Sequence, residues 1–311
     1  MSNALYALLL RAVGWALPAG AATGPAASQP SASEATALPA FMLTLFALGT
    51  CVLFVWGVRR MAHPETLSLR RSPGRPNRLG PVHVVLAFVI LVLAQAAVGD
   101  LCLRAAARSA GGKADEALKG RYLLVGRAVV SVVWLAAVLL LARGAFRHGL
   151  RRGMGLSGRR WLYDSLRGVL AYLTVLPICI GLGLLMEWLF AALQIEPNYH
   201  PVLLQLADLP PAWKLLAVFS TVVLAPLAEE IFFRGVLQSA VRQWSASPWG
   251  AVLAASAFFA AMHLDQPQAL PSLFALAVAM GYNYERTGRL WAPVLIHAAF
   301  NAVNLAAWRG P

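Results

Sequence analysis

Glu229 and Glu230 stand side by side in the stretch Ala225 to Gln238, A-P-L-A-E-E-I-F-F-R-G-V-L-Q, with Arg234 four residues beyond the second acid. The run from Leu215 to Leu237 is otherwise apolar. Each charge in a bilayer-spanning run costs about 2.5 to 3.5 kcal/mol on insertion scales, so three within six residues call for a use. On a helix Glu230 and Arg234 are at i and i+4 and can pair on one face. Glu229 points about 100° away from Glu230 and needs a partner from another helix. Three more polar residues lie in apolar surroundings. His263 ends F-F-A-A-M-H, and His297 and Asn301 sit one turn apart in L-I-H-A-A-F-N.

These residue types define a chemistry. A carboxylate and an imidazole around one water can deprotonate it as a general base. An Asn amide and a second His can donate hydrogen bonds to the oxyanion of a tetrahedral intermediate. No serine or cysteine is placed to act as nucleophile with them, so water is the more natural attacker and amide hydrolysis is the implied reaction. Glu229, His263 and His297 could instead hold a zinc ion with one open position. Both versions stay open at the level of the sequence.

The elements that must position these groups are membrane helices. The 311 residues are 59% hydrophobic and 13% charged, against about 45 to 50% and about 25% in ordinary globular domains. Several apolar runs reach 18 residues, which makes the chain a polytopic membrane protein. The expected fold is an all-α bundle of about eight spans with a polar site inside the membrane: Leu38–Val58, Val82–Leu101, Tyr122–Ala142, Gly168–Leu193, Leu215–Val241, Trp249–Leu264, Leu270–Tyr284 and Trp291–Trp308. Residues 1–37 read as a hydrophobic or signal-like segment (Met1 to Ala22, without a basic n-region) followed by an Ala/Ser/Pro linker. Residues 38–214 hold the first helices with basic loops, and 215–308 hold the catalytic ones.

Sixteen Lys and Arg fall in the loops on one side of these spans, including six from Arg59 to Arg78 and seven from Arg143 to Arg167. Six fall on the other side, five of them between the second and third spans, where a re-entrant or interfacial segment is expected. The basic loops are therefore expected in the cytoplasm. The net charge of +13 reads as topology and attraction to membrane lipid headgroups rather than nucleic-acid binding. Cys51, Cys102 and Cys179 show neither metal spacing nor a disulfide framework, and read as small core residues.

Helix rise tests whether the polar groups can meet. Counted from Arg242, Pro248 and Leu290, Glu229 lies about 20 Å above that end, His263 about 22 Å, His297 about 10 Å and Asn301 about 16 Å. With a turn of tilt or boundary error, all four can share one layer.

The order E-E-x-x-x-R (Glu229, Glu230, Arg234), F-x-x-x-H (Phe259 to His263) and H-x-x-x-N (His297 to Asn301) resembles the CPBP family, the CAAX proteases and bacteriocin-processing enzymes, also called Abi. The resemblance covers Leu215 to Ala307. It implies an intramembrane endopeptidase with Glu229 as base, His263 helping to hold and activate the water, and His297 and Asn301 at the oxyanion. Glu230 and Arg234 would support the motif helix. The family was first classed as metalloproteases, and a glutamate-dependent mechanism without catalytic metal is also argued for its prenyl-protein branch. Its eukaryotic members trim three residues after a prenylated cysteine, and bacterial ones are associated with peptide processing or immunity. The expected location is a bacterial cytoplasmic membrane, and the expected partners are lipids and a membrane-associated peptide or protein.

Blander readings accompany these. The Glu230–Arg234 pair suits a structural role, Asn304 suits helix–helix glue, and Phe232 and Phe233 suit packing. Asn283 and Tyr282 could line a cavity or cap the seventh span, while Asp265 and His200 lie in or near loops and need no explanation. Pro226 could kink the fifth helix and free a carbonyl towards the site. A proton- or ion-coupled transporter using the same buried acid and histidines is the rival from another class, and a non-catalytic immunity or scaffold protein is the third.

Overall fold

The structure is a computed structural model that describes residues 32–69, 72, 76–206, 208–245 and 247–308. The signal-like stretch Met1 to Ala22 and the linker as far as residue 31 lie outside the described residues, and the first helix begins at Ala32. Among the described residues the chain is helical, with one isolated backbone bridge between Asn77 and Phe146.

Eight principal helices follow one another: α1 Ala32–Ala62, α2 Pro81–Ser109, α3 Glu116–Ala142, α4 Trp161–Ala192, α5 Pro211–Ser245, α6 Pro248–Ala261, α7 Leu270–Thr287 and α8 Trp291–Ala307. Five of them, α1 through α5, are long and apolar enough to cross a membrane, while α6 and α8 are shorter apolar helices. Their ends are written in the sequence. Asp115 caps α3 by accepting from the Leu118 N–H at 2.7 Å, and Ser247 caps α6 by accepting from Gly250 at 3.0 Å with Pro248 in the first turn. Both follow the rule that a short oxygen side chain satisfies orphan N–H groups at a helix start. Gly288 ends α7 at φ 61°, where a residue without Cβ is the natural choice.

α2 and α3 form an antiparallel pair, α1 and α8 pack on α4, and α7 packs against α4, α6 and α8. Close approach depends on small residues. A Cβ at Gly126 would meet the Cys102 sulfur at 2.8 Å, and one at Gly49 would meet the Leu173 carbonyl at 2.8 Å. Phe54, Leu93 and Leu140 lie more than 60% exposed on outer faces, as suits side chains that face lipid tails.

The two ends of the bundle differ. At one end lie the described parts of the basic loops, tied down by polar contacts. Arg289 forks onto the buried Asp164, Arg242 donates to Glu285 at 2.9 Å, and Arg286 donates to the Thr66 carbonyl at 2.8 Å. Asn283 accepts from Arg167 and Tyr282 donates to Thr66. Those two residues therefore belong to this basic end and not to a cavity wall. At the opposite end, α2 and α3 run on to a short turn at 110–115 in place of the expected re-entrant segment. The helix extensions carry the excess charge there, with Arg104 paired to Asp100 and Lys119 to Glu116.

Candidate active site

α5 departs from ordinary winding on both sides of the acid pair. Residues Ser220–Leu224 and Ile231–Gln238 are π-helical, closing i→i+5 turns. Such wide turns often mark functional sites. The first begins with the Ala225 N–H bonded to the Ser220 carbonyl. The next donor in that register would come from residue 226, but Pro226 has no N–H. The Thr221 carbonyl thus lacks its helical donor, and Asn301 of α8 supplies one through Nδ2 at 2.8 Å. The proline does free a carbonyl, and that carbonyl sets the orientation of the Asn301 amide.

Glu230 is fully buried. Its Oε1 accepts from Arg234 Nη1 at 2.7 Å, the pair anticipated from their spacing, and also from His297 Nδ1 at 3.0 Å. Arg234 is equally buried, donates from Nη2 to the Ala277 carbonyl at 3.1 Å, and lies 5.1 Å from the centre of the Phe259 ring. One carboxylate therefore neutralises a buried guanidinium and fixes an imidazole on another helix. With Nδ1 donating to Glu230, Nε2 is the ring atom of His297 left for the cavity. It sits 3.9 Å from Glu229 Oε2. That separation is too long for a direct hydrogen bond, and Oε2 has no protein partner although it is buried.

His263 lies just past the end of α6, in the turn after Ala261, rather than within the helix. Its Nδ1 bonds the Phe259 carbonyl at 2.9 Å. A carbonyl only accepts, so Nδ1 carries the hydrogen and a terminal orphan carbonyl of α6 is satisfied. Again Nε2 is the ring atom left over. Phe259 is fully buried between the two imidazoles, with ring centroids 5.0 Å from His263 and 5.5 Å from His297.

Glu229, His263, His297 and Asn301 all line one cavity of about 610 Å³. Phe232 and Phe233, buried as expected of packing residues, also form part of its wall, as does Asn304. Three further lining residues carry charge or a titrating ring: Arg127, which the loop count left out, and His200 and Asp265, which as loop residues had needed no explanation. Arg127 of α3 lies in the middle of an apolar run, where the rule that singled out Glu229 applies equally. His200 contacts it at 3.4 Å, and Asp265 lies on the same wall. Burial, with the Arg127 cation second, pushes the His200 imidazole down to about 4. Among the described residues no three His, Cys, Asp or Glu side chains are grouped as a metal ion requires.

Residues 211–303 match the family model of the Rce1-like type II CAAX prenyl endopeptidases. The match is consistent with the CPBP family. It covers the helices that carry every residue of the CPBP-type motifs and stops short of α1 through α4. The uncharacterized protein YpbD of Bacillus subtilis (strain 168) is 35% identical over 89 residues, which is 28% of this chain and 42% of that protein. The chain thus spans less than half the length of this curated relative. No solved structure matches the chain.

Proposed function

We propose that the chain is an intramembrane endopeptidase that hydrolyses a peptide bond of a membrane-associated protein or peptide. The observation that carries this reading is the facing pair of Glu229 Oε2 and His297 Nε2, 3.9 Å apart in a cavity inside an apolar bundle. Glu229 takes a proton from the attacking water, and His263 holds that water through Nε2. The oxyanion that forms on the substrate carbonyl accepts from the Asn301 amide and from His297 Nε2, to which Glu229 passes the proton taken from the water. The proton taken up by the site then passes to the leaving amine. Glu230 positions His297 through Nδ1, and Arg234 positions Glu230 in turn. The family match supports a peptidase of the CAAX type, and the five long apolar helices support an integral membrane protein.

Glu229→Gln tests the reading. A positioned general base contributes about 10²- to 10⁴-fold, so cleavage of membrane peptides by the purified protein should fall by at least that factor. The fold should persist, since Oε2 holds no protein hydrogen bond that the amide would break. Undiminished turnover in Glu229→Gln would remove the base from the mechanism. Proton-coupled solute uptake in proteoliposomes, lost in the same variant, would replace hydrolysis with transport.

A further inference from the structure

The cavity lies in one half of the bundle. From α5 its lining runs from Ser220 down to Phe233 and stops, and the next five residues, Arg234 to Gln238, are all buried. From α8 it runs from His297 to Leu305, the half away from Leu290. Beyond the helices its lining reaches Tyr199, His200, Asp265 and Gln266, in the segments between α4 and α5 and between α6 and α7. Among the described residues, no lining residue comes from the segments 59–80, 143–160 or 242–248, nor from 282–291. Those segments form the basic end, where Arg242, Arg286 and Arg289 are held by Glu285, Thr66 and Asp164. The cavity is therefore closed at the basic end and opens at the opposite one.

Lys and Arg in short loops decide which side of a membrane a helix end occupies. The sequence counts sixteen against six, and the described members of the larger set, among them Arg147, Arg242, Arg286 and Arg289, lie at the closed end, so the rule assigns that end to the cytoplasm. We propose that the cavity opens on the extracytoplasmic side and that its substrate is an exported or membrane-anchored peptide whose scissile bond lies in the outer half of the bilayer. The substrate clause rests on the endopeptidase reading, while the direction of opening stands apart from it. The chemistry of the walls fits such a peptide. Leu91, Leu124, Val130 and Leu273 offer apolar surface, and about 610 Å³ is in the range that encloses a drug-sized ligand. A short extended stretch entering from the outer leaflet would lie along them. Arg127 and Asp265 at the outer part of the cavity would meet its polar flank.

Cysteine accessibility tests the direction without needing any activity. Cys51, Cys102 and Cys179 are replaced by alanine, and single cysteines are introduced as Leu264→Cys at the open end, Ser131→Cys on the cavity wall and Arg147→Cys at the basic end. Intact cells are treated with a membrane-impermeant maleimide and with a small charged methanethiosulfonate. Leu264→Cys should react with both and Ser131→Cys with the small reagent, at least ten times faster than Arg147→Cys, which should react only after permeabilisation. Reaction of Arg147→Cys alone in intact cells would overturn the proposal. So would reaction of Ser131→Cys only from the cytoplasmic face in inverted vesicles. If the expected pattern is found and Glu229→Gln leaves peptide cleavage unchanged, the endopeptidase reading fails and the direction of opening stands.

Discussion

Replacement of Glu230 should separate its structural work from its work on the site. The carboxylate accepts from Arg234 at 2.7 Å and from His297 at 3.0 Å, and both it and Arg234 are fully buried. Glu230→Gln keeps the shape but leaves the guanidinium without its charge partner. What remains to Arg234 is a neutral amide oxygen, the Ala277 carbonyl at 3.1 Å and the rings of Phe259 and Phe233. Breaking a buried pair in this way costs about 3 to 5 kcal/mol, which lowers the folded-to-unfolded ratio by between two and four powers of ten. Glu230→Met combined with Arg234→Met should be less destabilised than Glu230→Met alone, because the isolated charge leaves with its partner. Unfolding of the detergent-solubilised protein, followed by tryptophan fluorescence, reads both. Hydrolysis should fail in the double variant even where folding recovers, since His297 loses the acceptor at Nδ1. A double variant destabilised by the sum of its singles, or one that keeps full activity, would refute the positioning role of Glu230.

Asn301→Ala removes the donor proposed for the oxyanion, so cleavage should slow by about 10²- to 10³-fold, and a loss below threefold in single-turnover assays would discount that role. Pro226→Ala restores an N–H that competes for the Thr221 carbonyl. Its expected effect is a lower turnover number with unchanged substrate affinity, measured by steady-state kinetics. His200 carries a pH signature: the unfolded ring titrates near 6.5 and the folded one at about 4. The unfolded chain binds the extra proton between those values, so its contribution to stability is complete above pH 6.5, falls as pH drops towards 4, and levels off below. His200→Gln should flatten the unfolding profile over that window, and an unaltered slope would assign the dependence to another group.

The parts of the site that lie within one helix turn were legible in the sequence. Glu230 and Arg234 meet because i and i+4 share a face, and His297 and Asn301 reach one cavity for the same reason. Contacts between helices were not legible, because spacing along the chain says nothing of which faces are brought together. Sequence alone gave Glu230 one partner, and the fold gives it a second in His297. Arg127 was readable by the cost of a charge in an apolar run, yet it falls inside a span rather than in a loop and escaped the loop count. His200 and Asp265 gain meaning only from the cavity they border. Helix ends erred where hydropathy continues past the last turn. The apolar pattern carries on to Leu264, while α6 stops at Ala261 and leaves His263 in a turn. The π-helical turns leave no mark in composition, since the same apolar residues suit either winding.

Those wide turns make α5 sensitive to chain length as well as to side-chain chemistry. Each holds one residue more per hydrogen-bonded turn than an ordinary helix does. If regular winding replaced the wide turns of Ile231–Gln238 with no change in length, all that follows would rotate by about 100°, the turn of the one residue they absorb. Glu229 and Glu230 would keep their places, but Gln238 would leave the Gly281 carbonyl and Arg242 would leave Glu285. Insertions and deletions that exposed loops absorb readily would here uncouple the acid pair from the end of the bundle that anchors it. Functional relatives that keep the wide turns should therefore align from Pro226 to Arg242 without a gap, whatever substitutions they carry between.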